Sequence, residues 1–162
     1  MSNRYLGFDP SSVSTGWAIL SEDGSLIAYG AIAPGKELTE HENIVFQYKE
    51  FLNVMTTYQV THIGCEDAFL GPNPKTYKML VRIASNVIVL GGLLNIPVEF
   101  YTPSQWRKVT HGDGKVTKPY TRKLANEMFN KNFLARENDI TDAVGISAAH
   151  RIVCRDIVIR GV

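Results

Sequence analysis

The sequence of 162 residues has little cysteine and no long apolar run. Its two cysteines, Cys65 and Cys154, show no metal-binding or redox spacing, so a disulfide framework is not expected and a reducing compartment accounts for two free thiols. The longest uninterrupted apolar run, residues 87–94, is too short to span a bilayer. No basic-then-apolar leader begins the chain. We therefore expect a cytoplasmic protein without a membrane segment.

Net charge is also nearly absent, since 17 Lys and Arg residues face 16 Asp and Glu residues. This balance argues against a protein that coats nucleic acid with its whole surface, but it allows a local basic face beside a local acidic one. The composition is 44% hydrophobic and 20% charged, which is typical of an ordered globular protein. The length and the absence of repeats or linkers predict one domain spanning residues 1–162.

The hydrophobic patterns predict an α/β domain with a five-stranded mixed sheet flanked by helices. Turn signals such as Asp23-Gly24 separate the first three apolar segments, which predicts consecutive antiparallel strands. Thr39 and Glu42 form a capping-box pattern before the first helix. The predicted strands are residues 4–9, 15–20, 26–32, 60–65 and 97–101. The predicted helices are residues 39–58, 75–95, 102–106, 119–130 and 140–158, with a flexible loop at 110–118.

The predicted helix at residues 75–95 is apolar on most of its sides. Such a helix is buried on more than one face, under the sheet, against a neighbouring helix or against a second copy of itself. We take it as the candidate dimer interface, with Leu90 as the residue whose replacement by Asp should produce monomers.

Acidic residues occur at positions where a purely structural acid is unexpected. Asp9 ends the first strand and Glu66 ends the fourth, while Asp139 and Asp142 lie three residues apart at the start of the last helix. If the first and fourth strands are neighbours, Asp9 and Glu66 share one edge of the sheet. Packing of the small helix face (Ala143, Ala148, Ala149) on the sheet would bring the other two acids alongside.

Four carboxylates close together repel one another, and bound divalent cations relieve that repulsion. Oxygen ligands suit Mg²⁺ or Mn²⁺, and two such ions can activate water and stabilise the leaving oxygen in phosphodiester cleavage.

Each acid also has a simpler interpretation. Asp9-Pro10 can start a turn, and Asp139 can cap a helix whose dipole favours Asp142. Their joint placement favours the metal site, because Glu66 at the end of an apolar strand has no such role.

The segments LGFDPSSVSTGWAIL (6–20), IGCEDAFLGPNPKT (63–76) and ENDITDAVGISAAH (137–150) resemble the acidic motifs of RuvC Holliday-junction resolvases, which have the RNase H-like fold. Their order, intervals and the chain length also match, and the short chain resembles phage-encoded members. The resemblance implies that Asp9, Glu66, Asp139 and Asp142 are catalytic metal ligands holding two Mg²⁺ ions, with Mn²⁺ as a substitute. Ser11 stands where the family motif more often has Gly.

Residues 104–123 carry six basic side chains and one acid, a local balance of +5. The basic residues are Arg107, Lys108, Lys115, Lys118, Arg122 and Lys123. They can form a solvated helix face, but beside an acidic metal site a phosphate-binding track is the better interpretation. The resemblance implies that Arg107 and Lys118 contribute to junction binding or cleavage.

Phe69 lies in a loop rich in Gly, Pro and Asn, three residues after Glu66. A phenylalanine is most often a core residue. In the RuvC family, however, an aromatic side chain at this position is proposed to stack on bases at the opened junction. Tyr77 is a weaker candidate for the same surface.

These observations predict a homodimeric, metal-dependent endonuclease that resolves four-way junctions by paired nicks and leaves 5′-phosphates. The two-fold symmetry of a junction suits a two-fold symmetric dimer. A broader branched-DNA nuclease acting on forks, three-way junctions or flaps stays open, as does the existence of a branch-migration partner. The pattern D-P-S-x-x-x-T-G also resembles the phosphate loop of actin-like kinases, which need a second domain that 162 residues do not accommodate. A catalytically inactive DNA-binding module is disfavoured by the four intact acids.

Overall fold

Five strands and five α-helices occur in residues 2–160, the part of the chain that the computed structural model describes, with side chains described up to residue 156. The strands are β1 (Arg4–Asp9), β2 (Thr15–Ser21), β3 (Leu26–Ile32), β4 (His62–Glu66) and β5 (Val98–Tyr101). The helices are α1 (Glu40–Thr57), α2 (Pro74–Leu94), α3 (Pro103–His111), α4 (Lys118–Phe129) and α5 (Asn138–Arg160). The ends of the predicted domain, residues 1 and 161–162, lie outside the described residues.

The strands form one mixed sheet in the order β3-β2-β1-β4-β5. The first three strands are antiparallel neighbours, while β4 runs parallel to β1 and β5 parallel to β4. Gly7 of the central strand pairs with Gly64 of β4 in this register. The predicted five-stranded mixed sheet with flanking helices is therefore confirmed.

The two faces of the sheet are packed differently because side chains alternate along each strand. Leu6 and Phe8 of β1 point to the face covered by α1 and α2, where the main hydrophobic core lies. Gly7 points to the opposite face, against α5. Asp9, two residues after Gly7, extends along that same face.

Glycines in three neighbouring strands allow α5 to lie directly on the sheet. A Cβ atom at Gly7 would lie 2.2 Å from the Ala143 carbonyl oxygen, and one at Gly16 would lie 2.0 Å from the Asp139 carbonyl oxygen. The Ser147 hydroxyl also donates a 2.6 Å hydrogen bond to the Tyr5 carbonyl oxygen. These contacts fix the first turns of α5 over the end of β1.

The predicted capping box of α1 is confirmed, since Thr39 accepts from the Glu42 amide and the Glu42 carboxylate accepts from the Thr39 amide. In α2, by contrast, Leu90 is only 1% exposed and belongs to the core, so its assignment to a dimer interface is corrected. The exposed apolar residues of this helix include Ile88, Val89 and Leu93, which lie on a different face.

By length and composition alone, α2 would be long and apolar enough to cross a membrane. The longest uninterrupted apolar run, residues 87–94, does not indicate this because polar residues interrupt the rest of the helix. Its position explains the composition differently. Met79, Ile83 and Val87 lie in the core together with residues of α1 and the sheet, and an apolar helix that is partly covered in this way is typical of a protein core.

The region between β5 and α4 is more helical than predicted. The helix expected at residues 102–106 continues to His111, and the loop expected at 110–118 is reduced to residues 112–117. Thr102 and Gln105 form a capping box that starts α3, and Gly112 ends it with φ = 77°, a left-handed conformation that suits glycine. A short 3-10 turn, Ala135–Glu137, precedes α5, which begins at Asn138.

Candidate active site

Asp9 and Glu66 stand side by side at one edge of the sheet. The pairing of β1 with β4 continues to Phe8 and Cys65, and each strand ends at the following residue, which is the acid. Because Gly7 and Gly64 both face α5, the acids two residues later also lie on the α5 side of the sheet. Both are partly buried.

Asp139 and Asp142 come from the first turn of α5. The backbone at Asp139 contacts Gly16 in β2, so this turn lies beside the edge at which β1 ends. Asp142 is only 2% exposed. The Arg122 guanidinium of α4 donates a 2.9 Å hydrogen bond to the Asn138 side-chain oxygen and so ties the turn to a neighbouring helix.

The acids lie near enough to one another for their charges to affect their pKa values. Burial raises the pKa of Asp9 well above its usual range, and the charges of Glu66, Asp142 and Asp139 raise it further. Burial also raises the pKa of Glu66 and, despite the nearby Lys118 and Arg107 cations, that of Asp142. A group of acids with raised pKa values is stabilised when positive charge enters it.

Two basic side chains already supply part of that charge. The Lys118 Nζ atom lies 3.4 Å from Asp142 Oδ2, and the Arg107 Nη2 atom lies 3.9 Å from the same oxygen. The attraction of Asp142, Asp9 and Asp139 outweighs burial and raises the pKa of Lys118. Lys118 is therefore charged at neutral pH, and its side chain is still 52% exposed.

The acids offer only oxygen donors, the type that Mg²⁺ and Mn²⁺ prefer. Asp142 Oδ1 is buried and has no hydrogen-bond partner, which suits an oxygen that accepts a cation. The donor set therefore fits a divalent cation in its chemistry. Across residues 2–156, however, no three Asp, Glu, His or Cys side chains are already arranged as a metal-binding group.

The residues of the predicted basic stretch differ in their contacts. Arg107 and Lys118 face the acids, and Arg122 is engaged with Asn138. Lys108 and Lys115 are exposed and point to solvent. Lys123, one residue and therefore about 100° further round α4 than Arg122, lies 3.8 Å from Glu127.

The loop between β4 and α2 presents apolar side chains to solvent. Phe69 is 75% exposed and the neighbouring Leu70 is 66% exposed, so Phe69 is not a core residue. The loop follows directly from Glu66, and Phe69 lines a small pocket together with Pro10 and Glu66. An exposed aromatic ring is thus held next to the acids.

Sequence reasoning missed the polar contact of Trp106. The residue is fully buried, and its indole N–H donates a 2.8 Å hydrogen bond to Glu66 Oε2. No local pattern in the sequence indicates which acceptor this N–H group finds.

A second missed feature is a buried polar network that anchors the loop after Asp9. Gln47 of α1 accepts a 2.6 Å hydrogen bond from the Thr15 hydroxyl and donates to the Ser11 carbonyl oxygen at 2.9 Å. Asn43 donates to the Ser12 carbonyl oxygen. Two amides spaced i, i+4 on the buried face of a helix were the available signal.

A profile of the family described as "Crossover junction endodeoxyribonuclease RuvC" matches residues 5–150, which is most of the chain and the range within which all four acids lie. The chain belongs to the RuvC family. It is 27% identical over 147 residues to the RuvC protein of Ehrlichia canis (strain Jake), covering 90% of this chain and 94% of that one. It is 28% identical over 152 residues to the RuvC protein of Caldicellulosiruptor saccharolyticus, covering 91% of each chain.

A solved structure supports the fold assignment. The structure of T. thermophilus RuvC "in complex with Holliday junction substrate" superposes with a TM-score of 0.85, covering 95% of this chain and 96% of that chain. At 16% identity this likeness shows the fold alone. The predicted RNase H-like fold of the RuvC type is confirmed, and the family is one of endodeoxyribonucleases.

Proposed function

We propose that this RuvC-family protein resolves four-way DNA junctions by metal-dependent hydrolysis of paired phosphodiester bonds. The convergence of Asp9, Glu66, Asp139 and Asp142 at one end of the sheet carries the proposal. Hydrolysis of DNA requires a site that binds a phosphodiester anion next to an activated water molecule. A carboxylate cluster provides such a site once cations are bound. A T. thermophilus relative of the same fold has been solved with a Holliday junction substrate, which is the substrate that we propose here.

The four acids would hold divalent cations, two Mg²⁺ ions by preference with Mn²⁺ as a substitute. Bound cations would activate water and stabilise charge on the leaving oxygen, giving 5′-phosphate and 3′-hydroxyl ends. The unpartnered Asp142 Oδ1 and the raised pKa of Asp9 both favour this assignment, because each is relieved by a nearby cation.

Lys118 and Arg107 would bind the phosphate that is cut. Both are held at Asp142, and a cation that neutralises Asp142 would weaken these ion pairs and leave the basic groups facing the substrate. Lys118 keeps its proton, so it acts as a positive charge and a hydrogen-bond donor to a phosphate oxygen.

The DNA on either side of the cut would meet the exposed residues around the site. Lys108 and Lys115 are free to contact backbone phosphates. Phe69 would stack on a base that is unpaired at the branch point, since it is exposed beside Glu66. Arg122 would act mainly by fixing the start of α5, and Lys123 would make at most a peripheral phosphate contact.

We propose a single-domain, cytoplasmic protein that acts as a homodimer, because symmetric nicks in a two-fold symmetric junction require two sites. The exposed apolar face of α2, formed by Ile88, Val89 and Leu93, is the proposed interface. Ile88→Asp should convert dimers to folded monomers in sedimentation experiments, whereas Leu90→Asp should unfold the protein. An unchanged dimer mass for Ile88→Asp would remove this face as the interface.

The test is Mg²⁺-dependent cleavage of a synthetic four-way junction, with nicks mapped on all four strands. We expect symmetric paired nicks from the wild type and from Glu99→Gln, an exposed carboxylate that serves as the matched control, and none from Glu66→Gln. Scattered single nicks, or cutting of forks and flaps at the same rate, would favour the broader branched-DNA nuclease. Full activity of Glu66→Gln would contradict the proposed site.

A further inference from the structure

Trp106 combines complete burial with a hydrogen bond to an acid of the candidate site. Its ring lies in the core beside α5, while its N–H reaches Glu66 Oε2 at 2.8 Å. A buried indole normally finds a partner for its N–H group, but a backbone carbonyl would serve equally well. Here the acceptor is one of the four acids.

The indole is held firmly in this position. Gly145 of α5 provides the space, since a Cβ atom there would lie 2.5 Å from the Trp106 ring. The Arg107 guanidinium lies over the ring, 4.9 Å from its centroid, and the His111 ring packs against it in a T-shaped arrangement. The capping box of Thr102 and Gln105 fixes the start of α3. The donor therefore has little freedom to follow a moving carboxylate.

We propose that Trp106 is a positioning residue of the site: its indole N–H fixes Glu66 Oε2 so that the other carboxylate oxygen is presented to a bound cation. The inference rests on the proposed role of Glu66 as a cation ligand. Hydrogen bonds that orient metal ligands typically contribute about 10- to 100-fold in metal affinity. Because Trp106 is fully buried, it would act through Glu66 and would not contact the DNA.

The alternative is that Trp106 only fills the core, and Trp106→Phe separates the two cases. Phenylalanine keeps an aromatic ring in the cavity but has no N–H donor. If Trp106 positions Glu66, the Mg²⁺ concentration for half-maximal cleavage should rise by about 10-fold or more. The rate at saturating Mg²⁺ should fall less, and junction binding measured in Ca²⁺ should stay at the wild-type level.

A spectroscopic measurement needs no substitution at Trp106. The two tryptophans, Trp17 and Trp106, should give two indole N–H signals in a ¹H–¹⁵N spectrum of the wild-type protein. Trp17→Phe assigns them, because the signal that remains is that of Trp106. Titration with Mg²⁺ and the Glu66→Gln substitution should each shift the Trp106 signal strongly and leave the Trp17 signal in place.

The outcomes distinguish this inference from the proposed function. Two results would overturn the positioning role even if Glu66→Gln is inactive. One is an unchanged Mg²⁺ requirement in folded Trp106→Phe. The other is a Trp106 indole signal that shifts neither with Mg²⁺ nor in Glu66→Gln. Full activity of Glu66→Gln would overturn the proposed function itself. If Trp106→Phe does not fold, the indole titration of the wild type decides the question alone.

Discussion

The close contact between Gly16 and α5 predicts that a single added methyl group will separate the acids. A Cβ atom at Gly16 would lie 2.0 Å from the Asp139 carbonyl oxygen, and ordinary contact begins at 3.4 Å. In Gly16→Ala the start of α5 must therefore retreat from the sheet by about 1.4 Å, the difference of these distances. A misplacement of ~1 Å can cost about 100-fold in rate, so we expect a loss of that order in junction cleavage.

The same displacement also lowers stability. Overpacking of this kind costs about 1–3 kcal/mol, which for a domain of this size lowers Tm by ~2–4 °C per kcal/mol. Cleavage should be measured at a temperature at which circular dichroism shows the variant folded, with junction affinity measured in Ca²⁺. Gly92→Ala is the control for stability alone, because nothing lies within 4 Å of its added Cβ and its Tm should not fall. Wild-type cleavage and Tm in Gly16→Ala would refute the argument that this glycine sets the distance between α5 and the sheet.

Three further predictions concern the site. In the folded, metal-free protein Asp9 keeps its proton at pH values at which the unfolded chain, with an ordinary pKa near 4, has released it. The free energy of unfolding should therefore fall as pH rises from about 4. Asp9→Asn should reduce this pH dependence in thermal unfolding in EDTA, and an unaltered pH dependence would contradict the assignment. Phe69→Ala should leave Tm unchanged, because the side chain is exposed, and should weaken junction binding in fluorescence anisotropy by about 5- to 150-fold, the equivalent of one base stack of ~1–3 kcal/mol. Lys118→Gln should reduce cleavage by about 100-fold, as the loss of a transition-state donor does, whereas Lys123→Gln, beside Glu127, should have little effect; equal effects of the two variants would argue for a diffuse basic surface.

The sequence was sufficient to predict the sheet and the acids, because both depend on local patterns. Asp9 and Glu66 end apolar strands, and the alternation of strand residues places both on the face of Gly7 and Gly64 once β1 and β4 are neighbours. The i, i+3 spacing of Asp139 and Asp142 similarly follows from helix geometry alone.

Side-chain partners could not be predicted in the same way. The charge of residues 104–123 was summed as one surface, but helix phase separates Lys118 and Arg122 from Lys123. That separation was readable from the positions of Arg122 and Lys123 within the helix predicted at residues 119–130. Which acceptor the Trp106 N–H would find depends on the packing of α3 against α5, and no local pattern encodes it.

The helix that completes the site also determines when the site can exist. The Ser147 hydroxyl bonds to the Tyr5 carbonyl oxygen across 142 residues of chain, and Asp139 and Asp142 arrive on the same helix. During synthesis, β1 and β4 leave the ribosome carrying Asp9 and Glu66 long before α5 is made. Such long-range contacts form late in folding because the closure of a long loop must come first. A nascent chain that lacks α5 therefore has no assembled acidic cluster, and the four acids come together only after this helix has docked.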